Sequence, residues 1–215
     1  MKLVLINEVL ADKDFQIQVR AMQDFVPKVL KAWNLPAMEV STQTPVQEDW
    51  RVYITERNRH TGAAGYHTVE NDSPVAYCSP RATGIRLFGT YHAPLTSKLG
   101  KLLFPARFLN GLSYTISHEI AEMIGDPLLA TLAAQDSQGR TWLRELADPV
   151  MDSCVTFTDP ITKQLVVLAD VVLPSFYDVN GKAPFSLANA PIAPFTLSKK
   201  GYAYFRDKLG KLIKI

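Results

Sequence analysis

The chain has 215 residues, 47% hydrophobic and 20% charged, with a formal net charge of +2. That balance suits a folded domain with a sizeable core and excludes an intrinsically disordered protein. Two cysteines, Cys78 and Cys154, are too few for a disulfide scaffold or a thiolate metal cluster, and no apolar run approaches the roughly 18–20 residues of a membrane span.

The opening, MKLVLINEVLADKDF, is cut by Asn7 and Glu8 and reads as a strand over 3–10 rather than a signal peptide. A cytoplasmic, reducing setting or a virion-associated one is therefore expected. Phe15, Val19, Met22, Val26, Val29, Leu30 and Trp33 fall on one helical stripe. Asp12 or Asp14 is placed to cap that helix, and Pro27 to kink or divide it. Strands are predicted over 37–44, 50–56 and 74–78, with a loop or hairpin arm between. Residues 79–105, rich in Gly and Pro, read as irregular. A second helix is predicted from about Phe108 to Ile124, stopped by Gly125-Asp126-Pro127. Beyond it come a loop near 135–141 and strand-like pieces over 153–158 and 164–172. Residues 173–196 read as a wrapping loop whose Phe176, Tyr177, Phe185 and Phe195 need burial, and a short helix is predicted near 198–209. Interleaved strands with few strong helices predict an α+β fold in a single domain over 1–215. Its N-terminal sheet-and-helix part spans 1–107. The second helix and the C-terminal part span 108–215.

Charge is unevenly placed. Residues 111–178 hold ten acids and three basic residues, whereas Lys199 to Ile215 hold six basic residues and one acid. An acidic middle suits a bound cation better than a phosphate backbone. The basic tail reads as a solvated face, without the interleaved aromatics of a single-strand binder, so neither nucleic acid nor membrane is an expected partner.

The chemistry concentrates in Ser117-His118-Glu119-Ile120-Ala121-Glu122-Met123-Ile124-Gly125-Asp126-Pro127. Positions four apart share a helix face, so His118 and Glu122 point at one spot and Glu119 projects beside them. This is the spacing of a helical metal site with a neighbouring general base, with a carboxylate where His-Glu-x-x-His hydrolases have a second imidazole. The competing reading makes His118 and Glu122 a hydrogen-bonded pair and Glu119 a solvated side chain. Two such ligands need a third. Glu145 and Asp148 are the candidates, unless they pair with Arg140 and Arg144. Ser117 lacks the Gly-x-Ser-x-Gly context of a nucleophile, the glycine pairs lack a P-loop lysine, and Cys154 reads as a buried inert thiol.

HEIAEMIGDP, followed by ELADPV and then VVLPSFYD, resembles a group of zincin-like proteins. The group comprises bacterial and phage metallopeptidase-like proteins and, more distantly, plant exordium-like proteins. They carry a His-Glu-x-x-Glu helix ending in Asp-Pro or Asn-Pro and then a Glu-x-x-Asp element. The likeness covers roughly residues 111–178. It implies zinc held by His118, Glu122 and either Asp148 or Glu145, with Glu119 as general base. Calcium and manganese stay open because carboxylates harden the site. It further implies a mixed sheet with both helices packed on it and an irregular C-terminal part. The last strand before the site helix would form a substrate-binding edge near 65–67 and 74–77, to which an extended peptide adds, unless these residues form an ordinary hairpin. The implied function is zinc-dependent hydrolysis of peptide bonds by metal-activated water. The alternative is a catalytically inactive zincin-fold structural or binding protein, for instance in a phage virion. A calcium-stabilised binding domain is a third reading. Tyr177, Tyr202, His67 and His92 are candidates for oxyanion stabilisation, none assigned.

Overall fold

The computed structural model describes residues 2–56, 63–80 and 105–215. The fold is α+β. Strand β1 (Lys2–Asn7) leads into helix α1 (Asp12–Ala32). Then come β2 (Glu39–Ser41), β3 (Trp50–Ile54), β4 (Gly65–Glu70) and β5 (Ser73–Cys78). These five strands form one sheet in the order β2-β1-β3-β5-β4, parallel throughout except for β4. Helix α2 (Pro105–Gly125) follows and packs against β5, β4 and α1. The irregular stretch predicted over 79–105 falls mainly in 81–104, outside the described residues, as does His92.

Helix α1 buries Val19, Met22, Val26, Val29 and Leu30 of the predicted stripe and Phe25 beside it, with Phe15 and Trp33 half-buried. Pro27 does not divide it. Pro27 and Gln23, one turn earlier, are both exposed, so water can reach the carbonyl that the proline leaves unbonded. Neither Asp12 nor Asp14 caps the start. Ala11 takes the cap position without a side-chain bond, and the two aspartates occupy the first turn, where their charge favours the helix dipole. Instead, Asn7 Oδ1 accepts hydrogen bonds from the N–H of Val9 and Leu10 and turns the chain out of β1.

Strands β4 and β5 form a tight hairpin. Asn71 and Asp72 both have positive φ, 51° and 62°, as a two-residue turn matched to strand twist requires. The hairpin corrects one expectation. Among the described residues the strand at the end of the sheet is β4, not β5. Strand β5 is paired on both sides and buried along its whole length.

After α2, β6 (Leu132–Gln135) and β7 (Thr141–Leu143) pair with β10 (Tyr204–Arg206) and β11 (Leu212–Lys214) in an antiparallel sheet ordered β11-β10-β7-β6. Strands β8 (Cys154–Thr158) and β9 (Leu165–Ala169) form a separate hairpin, and β9 lies against α2. The predicted helix over 198–209 is absent. The segment turns at Asp207–Gly210, where Asp207 Oδ1 accepts from the N–H of Leu209 and Lys211 and Gly210 has φ +79°. That turn forces strands, and β10 places Phe205 on Trp142. Cys154 is exposed rather than buried, because β8 is covered only on alternate residues, while Cys78 is buried. In the wrapping segment Phe176, Tyr177 and Phe185 are buried and Phe195 is half-buried, packed around Trp142 and each other. Buried residues from both halves, from Leu3 and Phe25 to Trp142 and Phe205, form one continuous core. Among the described residues no helix is long and apolar enough to cross a membrane.

Candidate metal centre

Helix α2 commits Leu112, Ile116, Ile120, Met123 and Ile124 to the core. His118, Glu119 and Glu122 are also buried, at 8%, 7% and 2% exposure. Ser117 is occupied structurally, its hydroxyl accepting from the N–H of Ala169 in β9. At the helix end a side chain on Gly125 would sit 2.4 Å from the carbonyl oxygen of Arg144. Its absence lets the 144–148 segment cross close over the helix. Arg144 Nε donates to the Gly125 carbonyl at 2.6 Å, and Asp126 turns the chain by accepting from the N–H of Ala130 and Thr131.

Glu122 then gathers the crossing segment. Its Oε2 accepts from Leu146 N–H at 2.9 Å, and its Oε1 accepts from Ala147 and Asp148 N–H at 2.7 and 2.8 Å. Asp148 opens a short 3-10 turn (Asp148–Val150), and its carboxylate meets His118. Nε2 of His118 lies 3.1 Å from Asp148 Oδ1 and 4.0 Å from Glu122 Oε1. One donor atom from each of His118, Glu122 and Asp148 falls within 4.8 Å of the others. The hydrogen-bonded His118–Glu122 pair of the competing reading is not formed. Asp148 Oδ1 is buried and accepts no hydrogen bond, so it and Nε2 are close without bonding each other.

Glu145 lies outside this group of three. It is buried beside Glu122, its Oε2 without a hydrogen bond, while Tyr177 Oη donates to its backbone carbonyl at 2.6 Å. Arg140 and Arg144 pair with neither candidate acid. Arg140 is bound to Asp136 and Arg144 to the Gly125 carbonyl. Among the described residues no lysine or arginine forms an ion pair with Glu119, Glu122, Glu145 or Asp148.

The electrostatics follow. Burial pushes the Glu122 carboxyl well above its usual range, and repulsion from Glu145 and Asp148 adds to this. Burial also raises Glu145. Burial alone would lower the His118 pKa, but closeness to Asp148 and the charges of Glu119 and Glu145 outweigh it and raise it. A buried group of acids in this state calls for a cation or for protons.

Sequence reasoning left two neighbours of the site unassigned. His67, on β4, places Nδ1 3.8 Å from Glu119 Oε2, and its pKa is raised because Glu119, Glu145 and Asp126 outweigh the effect of burial. Only strand alternation facing α2 could have signalled it. Tyr202 packs near Asp148, its N–H donating to the Asp148 carbonyl, and its phenol is raised by burial and by that acid. No family model matches the chain, and neither the curated proteins nor the solved structures give a significant match.

Proposed function

We propose that this protein is a zinc-dependent, zincin-like hydrolase of peptide bonds, with His118, Glu122 and Asp148 as ligands and Glu119 as general base. The observation that carries the reading is the buried convergence of one imidazole nitrogen and two carboxylate oxygens within 4.8 Å. The donor set fits a divalent ion: Asp148 Oδ1 has no hydrogen-bond donor, and the two carboxylates balance a charge of +2. One nitrogen and two carboxylates suit zinc or manganese better than calcium, which takes six to eight oxygens. When bound, the ion supplies a Lewis acid that acidifies water and polarises a carbonyl. Glu119 takes a proton from the attacking water and returns it to the leaving amine. The N–H groups of residues 146–148 hold Glu122 in one orientation.

A second reading, a structural or binding module without turnover, has its own support. Three backbone hydrogen bonds already give Glu122 a structural task, pinning 146–148 to α2. Elemental analysis of purified protein beside a His118→Ala/Asp148→Ala variant tests the site. About one zinc per chain, lost in the variant, is expected; no transition metal after dialysis against zinc removes the hydrolase reading. A peptide-library screen then separates enzyme from module. Glu119→Gln is expected to lose at least about 10²-fold in hydrolysis while keeping its zinc.

A further inference from the structure

Strand alternation puts Gly65 and His67 on the same face of β4, and both meet Glu119. A side chain on Gly65 would stand 2.7 Å from Glu119 Oε1 and 2.7 Å from Thr115 Cγ2. The missing side chain therefore leaves the slot that Glu119 occupies. On the other oxygen, His67 Nδ1 faces Glu119 Oε2 at 3.8 Å, with its side chain only 11% exposed. Its Nε2 is buried without a hydrogen-bond partner among the described residues. A buried histidine serving only the core uses both nitrogens; this one is turned toward a carboxylate instead.

We propose that β4 positions the general base, Gly65 making room for the Glu119 carboxylate and His67 Nδ1 facing its other oxygen at 3.8 Å, too far for a hydrogen bond in this structure but close enough to steer it. His67 is a positioning residue. It acts on the reaction through Glu119, and this role rests on the hydrolase reading above. The consequence is that the base is aimed from the sheet rather than from its own helix. Strand β4 and the site helix then act as one unit, and a shift of β4 re-aims the carboxylate without touching His118, Glu122 or Asp148.

Histidine-selective 15N NMR on the full chain tests this independently of turnover. His67 is expected to appear with Nδ1 protonated, and Glu119→Ala is expected to abolish that preference. Ring signals unchanged by Glu119→Ala overturn the proposal. Given a substrate from the library screen, His67→Ala should lower kcat by about 10²-fold, as expected of a misplaced catalytic group. KM and zinc content should stay within twofold. His67→Asn, which keeps a donor, should recover part of the loss, and Gly65→Ala should lower kcat without loss of zinc. Unchanged kcat in His67→Ala, or zinc lost together with activity, also overturns it. If the wild type hydrolyses nothing, the functional reading falls, and the NMR result alone decides whether β4 holds Glu119.

Discussion

Two sets of buried acids divide this molecule. At the β8–β9 turn, Asp159 is fully buried and bound by Arg20 of α1 through two hydrogen bonds of 2.6 and 3.0 Å, with Thr162 adding its N–H and hydroxyl. At the β6–β7 turn, Asp136 is bound by Arg140, Trp142 Nε1 and two backbone N–H groups. Hydrogen bonding to Arg20 holds the Asp159 carboxyl well below its usual range. Asp136 is also lowered, its hydrogen bonds from Trp142 and Arg140 outweighing burial. Beneath β4, Glu122 and Glu145 are displaced the opposite way. All four carboxylates are shielded from solvent, but Glu122 and Glu145 lie much deeper in the protein than Asp159 and Asp136, so depth and partner together set the difference. A buried charge must be matched. The turn acids are matched by the chain itself, whereas among the described residues no lysine or arginine pairs with the acids around His118.

The comparison breaks most readily at Glu122. Glu122→Ala strands three buried N–H groups at about 1–3 kcal/mol each, so urea denaturation should show a loss of about 3–9 kcal/mol. Glu122→Gln, which keeps one acceptor oxygen, should lose less. A nearly neutral Glu122→Ala would mean that the crossing segment is held by something else. Next comes the matched acid. Removing one partner of a buried pair costs about 3 kcal/mol, and Arg20→Ala should approach that value. Because the Asp159 carboxyl is depressed, its contribution is complete above the ordinary aspartate value of 3.8 and is lost as pH falls toward the depressed one. The acid limb of the stability curve should therefore flatten in Arg20→Ala.

Zinc at about 100 times its Kd should raise stability by about 2.7 kcal/mol, seen as a higher Tm, and His118→Ala/Asp148→Ala should abolish the gain. The smallest effect distinguishes the two regions most sharply. Glu145 is raised, so the metal-free protein should lose stability as pH rises above the ordinary glutamate value of 4.5. Glu145→Gln should reduce that slope, to which Glu122 also contributes, and stabilise the metal-free protein by about 1 kcal/mol at neutral pH, whereas Asp159→Asn should destabilise it. Equal signs for the two variants would dissolve the distinction.

Much of this was legible along the chain. The four-residue spacing of His118 and Glu122 gives their shared face on any α-helix, and the stripe of Leu112, Ile116, Ile120 and Met123 fixes which side meets the core. The choice between Glu145 and Asp148 was not legible. The two acids are three residues apart, and what separates them is the path of 146–148 across α2, set by hydrogen bonds spanning more than twenty residues of sequence. The misread tail has a local cause as well: the Asp207–Gly210 turn outweighs a weak helical pattern once β7 offers Phe205 a partner.

The sequence by itself determined the two helices and the face of the second that carries His118 and Glu122, because each rests on a short-range period or a local stop signal. Only the tertiary structure decided that Gly65 and His67 of β4 stand against Glu119, that Asp148 rather than Glu145 meets His118, and that among the described residues no lysine or arginine pairs with the acids of the site. Those facts depend on strand order, loop path and exclusion of water, which arise from contacts between residues far apart in the chain and leave no period in the sequence to read.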